Sequence, residues 1–496
     1  MQMVFDIAAR RAELSPDKIA FIERESGRRL TYRDLDDRAC RFAAWLQANG
    51  IARGDRIAIL CQNSTSFFEI LFACGKLGAI LVPLNWRQPA PELIPVAQDA
   101  APKLLIHDAE HAALAAELNL PLLSFAAYEQ AVATAAPGQY DTAWEPDRIW
   151  YMLYTSGTTG KPKAVIQTPR MAYANAINIG QAIDLTSSDT TLNFLPLFHT
   201  AGINLHTLPL LMWGGTIQVL KKFEIDPVMT ALQTGDCTAF FGVPAIYQAI
   251  SLHKDFATAE FTKVRSWGCG GAPLPASLIE LFAGRGVLVC NGMGMTETGP
   301  TVFLMDRAHA QTKIGSVGKP QILAEVRVVD DNDQPLPVDH AGELQIRGPG
   351  ITPGYWNNEA ATSAAFTSDG WLRTGDVARR DTDGYYYIVD RIKDMFISGG
   401  ENVYPAEVEI AIYKFPGVLE CAVIGVPDEK WGEVGCAYVL PHPDAAMDAE
   451  ALRAFCRQNL AAYKVPKHIR IIEDFPRTAA GKVQKHVLRN RFAGTP

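Results

Sequence analysis

The chain has 496 residues, of which 48% are apolar and 20% are charged, so it can bury several large cores and is unlike a disordered chain. Its 46 basic and 54 acidic residues give a net charge of −8, which argues against a nucleic-acid binder that works by neutralising phosphates. The nine cysteines include no Cys-x-x-Cys pair, which excludes a disulfide scaffold and the usual zinc spacings and predicts a reducing, cytoplasmic setting.

Two stretches must be distinguished from membrane-targeting segments. Asp6, Arg10 and Arg11 interrupt the N-terminus before any apolar run of signal-peptide length, so we expect no signal peptide. The stretch 194–220 carries no formal charge, but prolines, glycines and histidines interrupt it. We expect it to form a strand, a loop and a helix inside a globular protein rather than a transmembrane segment.

The first 390 residues alternate between short apolar strands and helices. The first clear unit has a strand at 56–61, a helix from the capping box Ser66-x-x-Glu69 to Gly78, and a strand at 80–83. Further units have strands predicted at 237–243, 263–267 and 287–290, with helices after Pro244 and at 276–283. This order is typical of parallel strand pairs in an α/β sheet.

The pattern changes twice in the last third of the chain. From Glu325 to about Ile388 it predicts strands and tight turns, and after Asp390 it predicts a small α+β unit of helices at 405–415 and 449–460 and strands at 420–426 and 435–440. The sequence therefore predicts an α/β fold. A large domain over residues 1–390 has parallel and mixed sheets flanked by helices and a β-rich subdomain at about 320–390, and a smaller domain covers residues 391–496.

Residues 155–163 read TSGTTGKPK and follow the apolar strand predicted at 149–154. Small residues let backbone N–H groups approach phosphate oxygens, hydroxyls donate to them, and lysines add positive charge. Gly157 and Gly160 do not have the spacing of a Walker A loop. Taken alone, the segment fits either a phosphate-binding loop or a surface hairpin rich in serine and threonine.

TSGTTGKPK resembles the signature loop of the adenylate-forming superfamily, which includes acyl- and aryl-CoA synthetases, peptide-synthetase adenylation domains and firefly-type luciferases. Four further segments continue the resemblance in chain order: Met295-Thr296-Glu297, GWLRTGDV at 370–377, DRIKDMFISGGENVYPAEVE at 390–409 and PRTAAGKVQK at 476–485. Because five motifs at family spacing cover nearly the whole chain, we identify it as a member of this superfamily.

The resemblance implies a reaction in which a carboxylate is joined to the α-phosphate of ATP, pyrophosphate leaves, and the acyl group passes to the thiol of coenzyme A. Two anions must meet, so the site needs cations and Mg²⁺. The implied catalytic residues are Lys482, Glu297, Thr155 and His199, with Glu297 as the Mg²⁺ ligand. The implied ATP-binding residues are Thr155, Ser156, Gly157, Thr158, Thr159, Gly160, Lys161, Lys163, Gly271, Ala272, Pro273, Asn291, Gly292, Met293, Gly294, Thr296, Asp376, Ile388, Arg391 and Lys482.

Several of these residues also have a purely structural explanation. In that explanation, Glu297 is a solvated loop residue and Lys482 is a solvated surface lysine. Asp376 and Arg391 form an inter-domain ion pair, and residues 270–273 are a plain strand-to-helix loop. The family commonly has an aromatic residue against adenine at the position before Gly294. Here that residue is Met293, which can also pack on a flat ring.

The resemblance also describes the second half-reaction. It implies that the C-terminal domain is mobile and rotates about Lys393 between adenylation and thioester formation. The pantetheine arm of CoA is expected to pass Ser398, Gly399 and Gly400, and this path explains why the two glycines carry no side chain. The expected partners are a small carboxylic acid, ATP and CoA, with no nucleic acid, and a homodimer is a further expectation.

The identity of the acid is predicted from the charged residues that are missing in the segments expected to line its pocket. Amino-acid-activating relatives carry an acidic residue where this chain has His199, so amino acids are not expected. A dicarboxylate such as malonate needs a cation, and 194–213, 240–244 and 268–273 contain none apart from His199 and His206. The expected acid-binding residues are His199, Ile203, Asn204, Phe241, Gly268, Gly292, Met295 and Pro300.

Two of these residues have a specific expectation. Gly292 is expected to widen the acid pocket by its missing side chain. His199 is either a substrate-lining residue with a catalytic role or a satisfied core histidine.

The stretches 195–204 and 291–300 look most like bacterial aryl- and medium-chain acyl-CoA synthetases, including feruloyl-CoA synthetases. The preferred interpretation is therefore an ATP- and Mg²⁺-dependent acid–CoA ligase for a hydroxycinnamic acid, of the ferulic or coumaric type, or another apolar or aromatic monocarboxylic acid. The alternatives are a medium-chain fatty acyl-CoA synthetase, an adenylating enzyme that loads a carrier protein, and a luciferase-like monooxygenase or adenylate-binding scaffold. Lys482, Glu297 and Asp376 argue against the scaffold.

Overall fold

The computed structural model describes residues 2–155, 162–443, 445–477 and 483–494. Its strands, in chain order, are β1 (Val4–Phe5), β2 (Ile19–Glu23), β3 (Arg29–Thr31), β4 (Arg56–Leu60), β5 (Ile80–Pro83), β6 (Leu104–His107), β7 (Leu122–Ser124), β8 (Ala143–Trp144), β9 (Tyr151–Thr155), β10 (Lys163–Gln167), β11 (Thr190–Asn193), β12 (Thr216–Val219), β13 (Ala239–Gly242), β14 (Ser266–Cys269), β15 (Val289–Gly294), β16 (Thr301–Leu304), β17 (Lys319–Pro320), β18 (Glu325–Val329), β19 (Gly342–Arg347), β20 (Leu372–Arg380), β21 (Tyr386–Arg391), β22 (Phe396–Ser398), β23 (Glu401–Val403), β24 (Val418–Asp428), β25 (Gly432–Pro441) and β26 (His468–Ile471).

The α-helices, in chain order, are α1 (Ile7–Leu14), α2 (Tyr32–Ala48), α3 (Thr65–Leu77), α4 (Ala90–Ala100), α5 (Ala112–Ala116), α6 (Phe125–Thr134), α7 (Pro169–Ala182), α8 (Thr207–Trp213), α9 (Ile225–Thr234), α10 (Pro244–Ser251), α11 (Ala276–Ala283), α12 (Glu359–Ala365), α13 (Pro405–Ile412), α14 (Ala449–Asn459) and α15 (Lys485–Ala493). A π-helix spans Ala201–Leu205, and 3₁₀ turns span Thr296–Thr298 and Ala462–Lys464.

Mostly parallel strands separated by helices build the first sheets, as the sequence pattern predicts, with antiparallel pairs at β9–β10 and β2–β3. Within the described ranges, one sheet has the order β10–β9–β5–β4–β6–β7 and another has the order β11–β12–β2–β3. In the sheet β13–β14–β15–β16–β17, the first three strands are parallel, and the pairing becomes antiparallel at β16. The chain changes direction there, which places the end of β15 at the rim of the sheet.

The start of α3 differs from the prediction. Its N-cap is Ser64, whereas Ser66 is buried inside the helix. Glu69 is fully buried and pairs with Arg28 and Arg38, so its carboxylate is not available to a capping box. The predicted capping box Ser66-x-x-Glu69 was therefore wrong. Burying the Glu69 carboxylate without cationic partners costs more free energy than leaving a helix N-terminus without a side-chain acceptor.

The uncharged stretch 194–220 forms a loop, the π-helix, α8 and β12, so its strand lies at the end rather than at the beginning. Among the residues that the structure describes, no helix combines the length and the hydropathy that crossing a membrane requires. All nine cysteines are free and eight of them are buried, which agrees with the exclusion of a disulfide scaffold.

The last third of the chain changes architecture where the sequence predicts it. The antiparallel sheet β18–β19–β20–β21 forms the β-rich region. Beyond it, β24 and β25 pair along most of their length, β26 joins β25, and α13 packs beside β24. The mixed α/β fold, with a large N-terminal part and a smaller C-terminal part, is thus confirmed.

Candidate active site

The predicted phosphate-binding loop connects two directly paired strands. Thr155, at the end of β9, lies opposite Lys163, at the start of β10, and its hydroxyl donates to the Lys163 carbonyl over 3.4 Å. Both residues are partly exposed. The predicted ATP-binding residues Ser156, Gly157, Thr158, Thr159, Gly160 and Lys161 lie outside the described residues, as does Lys482.

The turn that carries Thr296 and Glu297 is fixed against the other end of β10. Gln167, the last residue of β10, is buried and donates from Nε2 to the Thr296 carbonyl at 2.9 Å. The backbone N–H of Thr352 donates to the Glu297 carbonyl at 2.8 Å. Two motifs that are 130 residues apart in the sequence thus share one structural support.

The Glu297 side chain is buried, and its Oε1 accepts a hydrogen bond of 2.9 Å from the Tyr355 hydroxyl. Burial, and then the Glu297 charge, raise the pKa of Tyr355 well above its usual range, so the phenol remains a donor. In the described part of the chain, no hydrogen bond or ion pair reaches the other oxygen, Oε2. A carboxylate with one oxygen held and one available fits a Mg²⁺ ligand.

The described residues contain no cluster of three or more His, Cys, Asp or Glu side chains that could hold a metal ion by themselves. Mg²⁺ is usually bound by one or two carboxylates together with substrate phosphates. The single buried carboxylate of Glu297 fits Mg²⁺ that enters with a nucleotide.

Three parallel strands end side by side at one edge of their sheet. The register of β13, β14 and β15 places Phe241 beside Gly268, Gly268 beside Cys290, and Cys269 beside Asn291. Ligands of open α/β sheets bind outside such carboxyl ends. The structure thus brings together residues expected to bind the acid and residues expected to bind ATP, and the exposed turn 271–273 follows β14 at the same edge.

Gly292 and Gly294 have a structural explanation that the sequence did not indicate. A Cβ at Gly292 would lie 2.9 Å from both the Leu304 side chain and the Phe303 carbonyl, and one at Gly294 would lie 1.5 Å from the Pro300 carbonyl. The missing side chain at Gly292 therefore allows β16 to approach β15 closely. Glycine at 292 therefore has a reason that is independent of the acid, and its effect on the width of the acid pocket stays a prediction.

The predicted acid-lining residues divide into two groups. His199, Phe241, Gly268 and Met295 are partly exposed and can contact a ligand. Ile203 and Asn204 expose no surface, and Pro300 is buried as well, so these three do not line an open pocket here. Asn204 instead donates through Nδ2 to the Gly299 carbonyl and supports the Thr296–Gly299 turn.

The charges near this pocket also differ from the sequence-based expectation. His206 is buried, and burial lowers its pKa to about 4, so it supplies no positive charge at neutral pH. Arg87 is a cation outside the three segments from which the charge of the pocket was predicted. Its guanidinium carbon lies 4.8 Å from the ring centroid of Trp86 and 6.0 Å from that of Phe198. Arg87 follows β5 and comes near Phe198 only through the fold.

Asp376 and Arg391 face each other on β20 and β21 and form an ion pair of 2.6 Å. Asp376 is buried and Arg391 is partly exposed. Both residues belong to the sheet of the β-rich region, so the ion pair forms between neighbouring strands of one sheet. Ile388 lies on β21 and packs partly buried against the core of the same sheet.

Gly399 and Gly400 form the two-residue turn between β22 and β23, with φ angles of +63° and +90°. Such a turn favours glycine without any ligand, which gives these residues a reason beyond the expected CoA path. Ser398, the last residue of β22, is buried.

Lys393 is exposed and lies between two anchored neighbours. The N–H of Ile392 donates to the carbonyl of Gly375 in β20, at 2.9 Å, and Asp394 pairs with Arg489 of α15, also at 2.9 Å. Among the described residues, the predicted pivot thus has no such anchor of its own and lies between a contact to the β-rich region and a contact to the C-terminal part.

Sequence reasoning missed four residues that shape this site. Tyr355, Gln167 and Thr352 each make one hydrogen bond to the turn of Thr296 and Glu297. Arg87 is distant in the sequence and comes near Phe198 only in the folded chain. None of them belongs to a motif with its own chemistry. The only available signal was Gln167, a polar residue at the end of an apolar strand.

Comparison with known proteins identifies the family. A family model described as AMP-binding enzyme matches residues 8–356, and the AMP-binding enzyme C-terminal domain matches residues 407–482. A feruloyl-CoA synthase of Amycolatopsis sp is 43% identical over 97% of this chain and 98% of that protein. The long-chain-fatty-acid–CoA ligase FadD13 of Mycobacterium tuberculosis is 36% identical over 98% and 97% of the two chains. The O-succinylbenzoate coenzyme A synthetase of Bacillus subtilis, solved in complex with ATP and magnesium ion, has a TM-score of 0.89 at 30% identity and covers 99% of this chain and 100% of that one. The chain therefore belongs to the family of AMP-binding enzymes.

Proposed function

We propose that this protein is an AMP-forming acid–CoA ligase that uses ATP, Mg²⁺ and coenzyme A. The observation that carries the proposal is the attachment of the Thr296–Glu297 turn to β10, the strand that begins with Lys163. Tyr355 supports the same proposal, because its hydroxyl donates to Glu297 while its ring lies 5.3 Å from the Lys163 ammonium, so that a carboxylate suited to Mg²⁺ and a cation contact one side chain. The names of the relatives support the same reaction class.

In the first half-reaction, the chain's own residues hold the nucleotide and reduce the repulsion between two anions. Asp376 accepts hydrogen bonds from ribose hydroxyls, with Arg391 fixing its carboxylate. Lys163, Lys161 and Lys482 supply positive charge to the phosphates and the carboxylate, and Thr155 and Thr296 donate hydroxyl hydrogen bonds. Glu297 would hold Mg²⁺, which would supply positive charge to neutralise phosphate charge that develops as pyrophosphate leaves.

In the second half-reaction, the thiol of CoA must reach the acyl-adenylate in the same place. We propose that the boundary near residue 390 separates the N-terminal domain from a C-terminal domain that turns about Lys393. The turn of Gly399 and Gly400 then lies along the pantetheine path. A homodimer and a cytoplasmic location stay predictions.

For the acid, we propose a hydroxycinnamic acid of the ferulic or coumaric type. The identity of 43% to a feruloyl-CoA synthase supports this class, and so do the partly exposed Phe241, Gly268 and Met295, which offer apolar and flat surfaces. The identity of 36% to a fatty-acid–CoA ligase supports a fatty acid as the second candidate. Loading of a carrier protein in place of CoA is the remaining alternative.

The test is pyrophosphate release with a panel of acids, measured with and without CoA. We expect ferulate and coumarate to be turned over in preference to a medium-chain fatty acid, with little release from malonate or amino acids. Burying a second carboxylate costs several kcal/mol unless a cation is fixed against it, and the guanidinium of Arg87 already lies over the rings of Trp86 and Phe198. Thioester must form only when CoA is present. Efficient use of malonate in competition with ferulate would contradict the proposed acid, and release that never leads to a thioester would contradict the ligase.

A further inference from the structure

We propose that Tyr355 is a positioning residue that holds the Glu297 carboxylate in the orientation needed for Mg²⁺. The inference rests on the proposed function, because it assumes that Glu297 is the Mg²⁺ ligand. It adds a residue that no motif contains and assigns it a measurable effect on metal affinity.

Tyr355 lies between the two halves of the phosphate site. Its backbone runs beside β10, where Tyr355 bridges to Val165 and where the N–H of Trp356 donates to the Ala164 carbonyl at 2.9 Å. On the same side, the Lys163 ammonium lies 5.3 Å from the centroid of the Tyr355 ring. One side chain therefore contacts the lysine of the loop with its ring and Glu297 with its hydroxyl.

The hydroxyl has a specific effect on the carboxylate. It donates to Oε1 at 2.9 Å, which selects one rotation of the carboxylate plane and leaves Oε2 as the oxygen for a cation. Groups that hydrogen-bond to a metal ligand orient it, and their loss typically costs about 10- to 100-fold in metal affinity. Without the hydroxyl, Glu297 can rotate, and a rotated carboxylate must reorganise before it binds.

The test uses Tyr355→Phe in the full-length enzyme, because the variant keeps the ring that faces Lys163. We expect the Mg²⁺ concentration for half-maximal ATP–pyrophosphate exchange to rise about tenfold, while the KM for the acid stays unchanged. A second readout needs no turnover: Mn²⁺ binding in the presence of a non-hydrolysable ATP analogue, followed by electron paramagnetic resonance, should weaken by a similar factor.

The matched control is Tyr385→Phe. Tyr385 is buried, whereas Tyr355 is partly exposed, and the Tyr385 hydroxyl donates to the Asp306 carboxylate at 2.6 Å, so the substitution removes the same kind of hydrogen bond elsewhere. It should leave the Mg²⁺ and Mn²⁺ titrations unchanged. If Tyr355→Phe titrates like the wild type, or if both variants shift equally, the positioning role is wrong.

A double variant separates this inference from the proposed function. In Glu297→Gln, the metal ligand is gone, so adding Tyr355→Phe should weaken Mn²⁺ binding by less than a factor of two. A full additional loss would show that Tyr355 acts by another route and would overturn the inference. The proposed function is tested independently by acid-dependent exchange in the wild type, which can succeed while the role of Tyr355 fails.

Discussion

At the scale of single residues, the polar groups of the site were predictable and their orientation was not. Glu297, Asp376 and Arg391 belong to motifs whose chemistry can be recognised in the sequence. The partners that orient them, such as Tyr355, come from distant segments, and a single hydrogen bond leaves no periodic pattern. The burial of individual side chains was also not predictable. Ile203 and Asn204 are buried on a π-helix, and a 3.6-residue period does not describe such a helix.

His206 allows a prediction about pH. Its pKa is about 4 in the folded protein, against about 6.5 unfolded, so the unfolded chain binds the extra proton first as the pH falls. Stability is therefore fully present above pH 6.5 and is lost as the pH falls towards 4, by about 3 kcal/mol for this group. His206→Gln cannot titrate, so its urea unfolding midpoint should fall less than that of the wild type between pH 7 and pH 4.5.

The control for His206 is His340→Gln, at an exposed histidine, which should keep the wild-type pH dependence. Equal acid sensitivity of all three proteins would show that another group controls this transition.

At the scale of elements, strand and helix order was predicted well because it follows from apolar periodicity. The glycines were the exception. Gly292 and Gly294 are required where β15 and β16 meet, and that contact exists only after the chain reverses at the Thr296–Gly299 turn. The two-residue turn at Gly399 and Gly400 likewise favours glycine, because both residues have a positive φ. A test of its role for CoA therefore needs a substitution that does not strain the backbone.

Gly400→Asn makes this test, because asparagine tolerates a positive φ better than other side chains and a Cβ at Gly400 meets no atom within 4 Å. If the pantetheine arm passes this turn, thioester formation from supplied acyl-adenylate should fall about tenfold or more, with normal ATP–pyrophosphate exchange. Gly27→Asn has a similar φ of +71° and equally open surroundings, and should change neither rate. A thioester rate that stays normal in Gly400→Asn would remove this turn from the CoA path.

At the scale of the whole molecule, the sequence predicted the two-part architecture because each part buries its own apolar strands. It also predicted that the two half-reactions need different arrangements of the two parts. One arrangement must surround the α-phosphate and exclude water, and another must admit a thiol, which a rotating domain can achieve.

Lys482→Ala tests this division. The variant should lose about 10²- to 10³-fold in acyl-adenylate formation, since one electrostatic contact to the transition state is removed. It should still convert supplied acyl-adenylate and CoA to thioester at a near-normal rate. Lys414→Ala, at an exposed lysine of the same part of the chain, should leave both steps unchanged. Equal loss of both steps in Lys482→Ala would mean that the site does not alternate.

The contacts around Lys393 have a consequence for the proposed rotation. The first residues of α13 have no capping side chain of their own, and Asp390 of β21 accepts from the Ala406 N–H at 2.7 Å instead. Burial raises the pKa of Asp390 to about 6, although Lys485 and two backbone N–H groups oppose the increase. Rotation about Lys393 alone would separate this carboxyl from α13 and return it to water, where it ionises more easily. Domain motion and proton release are then linked, and protons favour the arrangement in which α13 is capped.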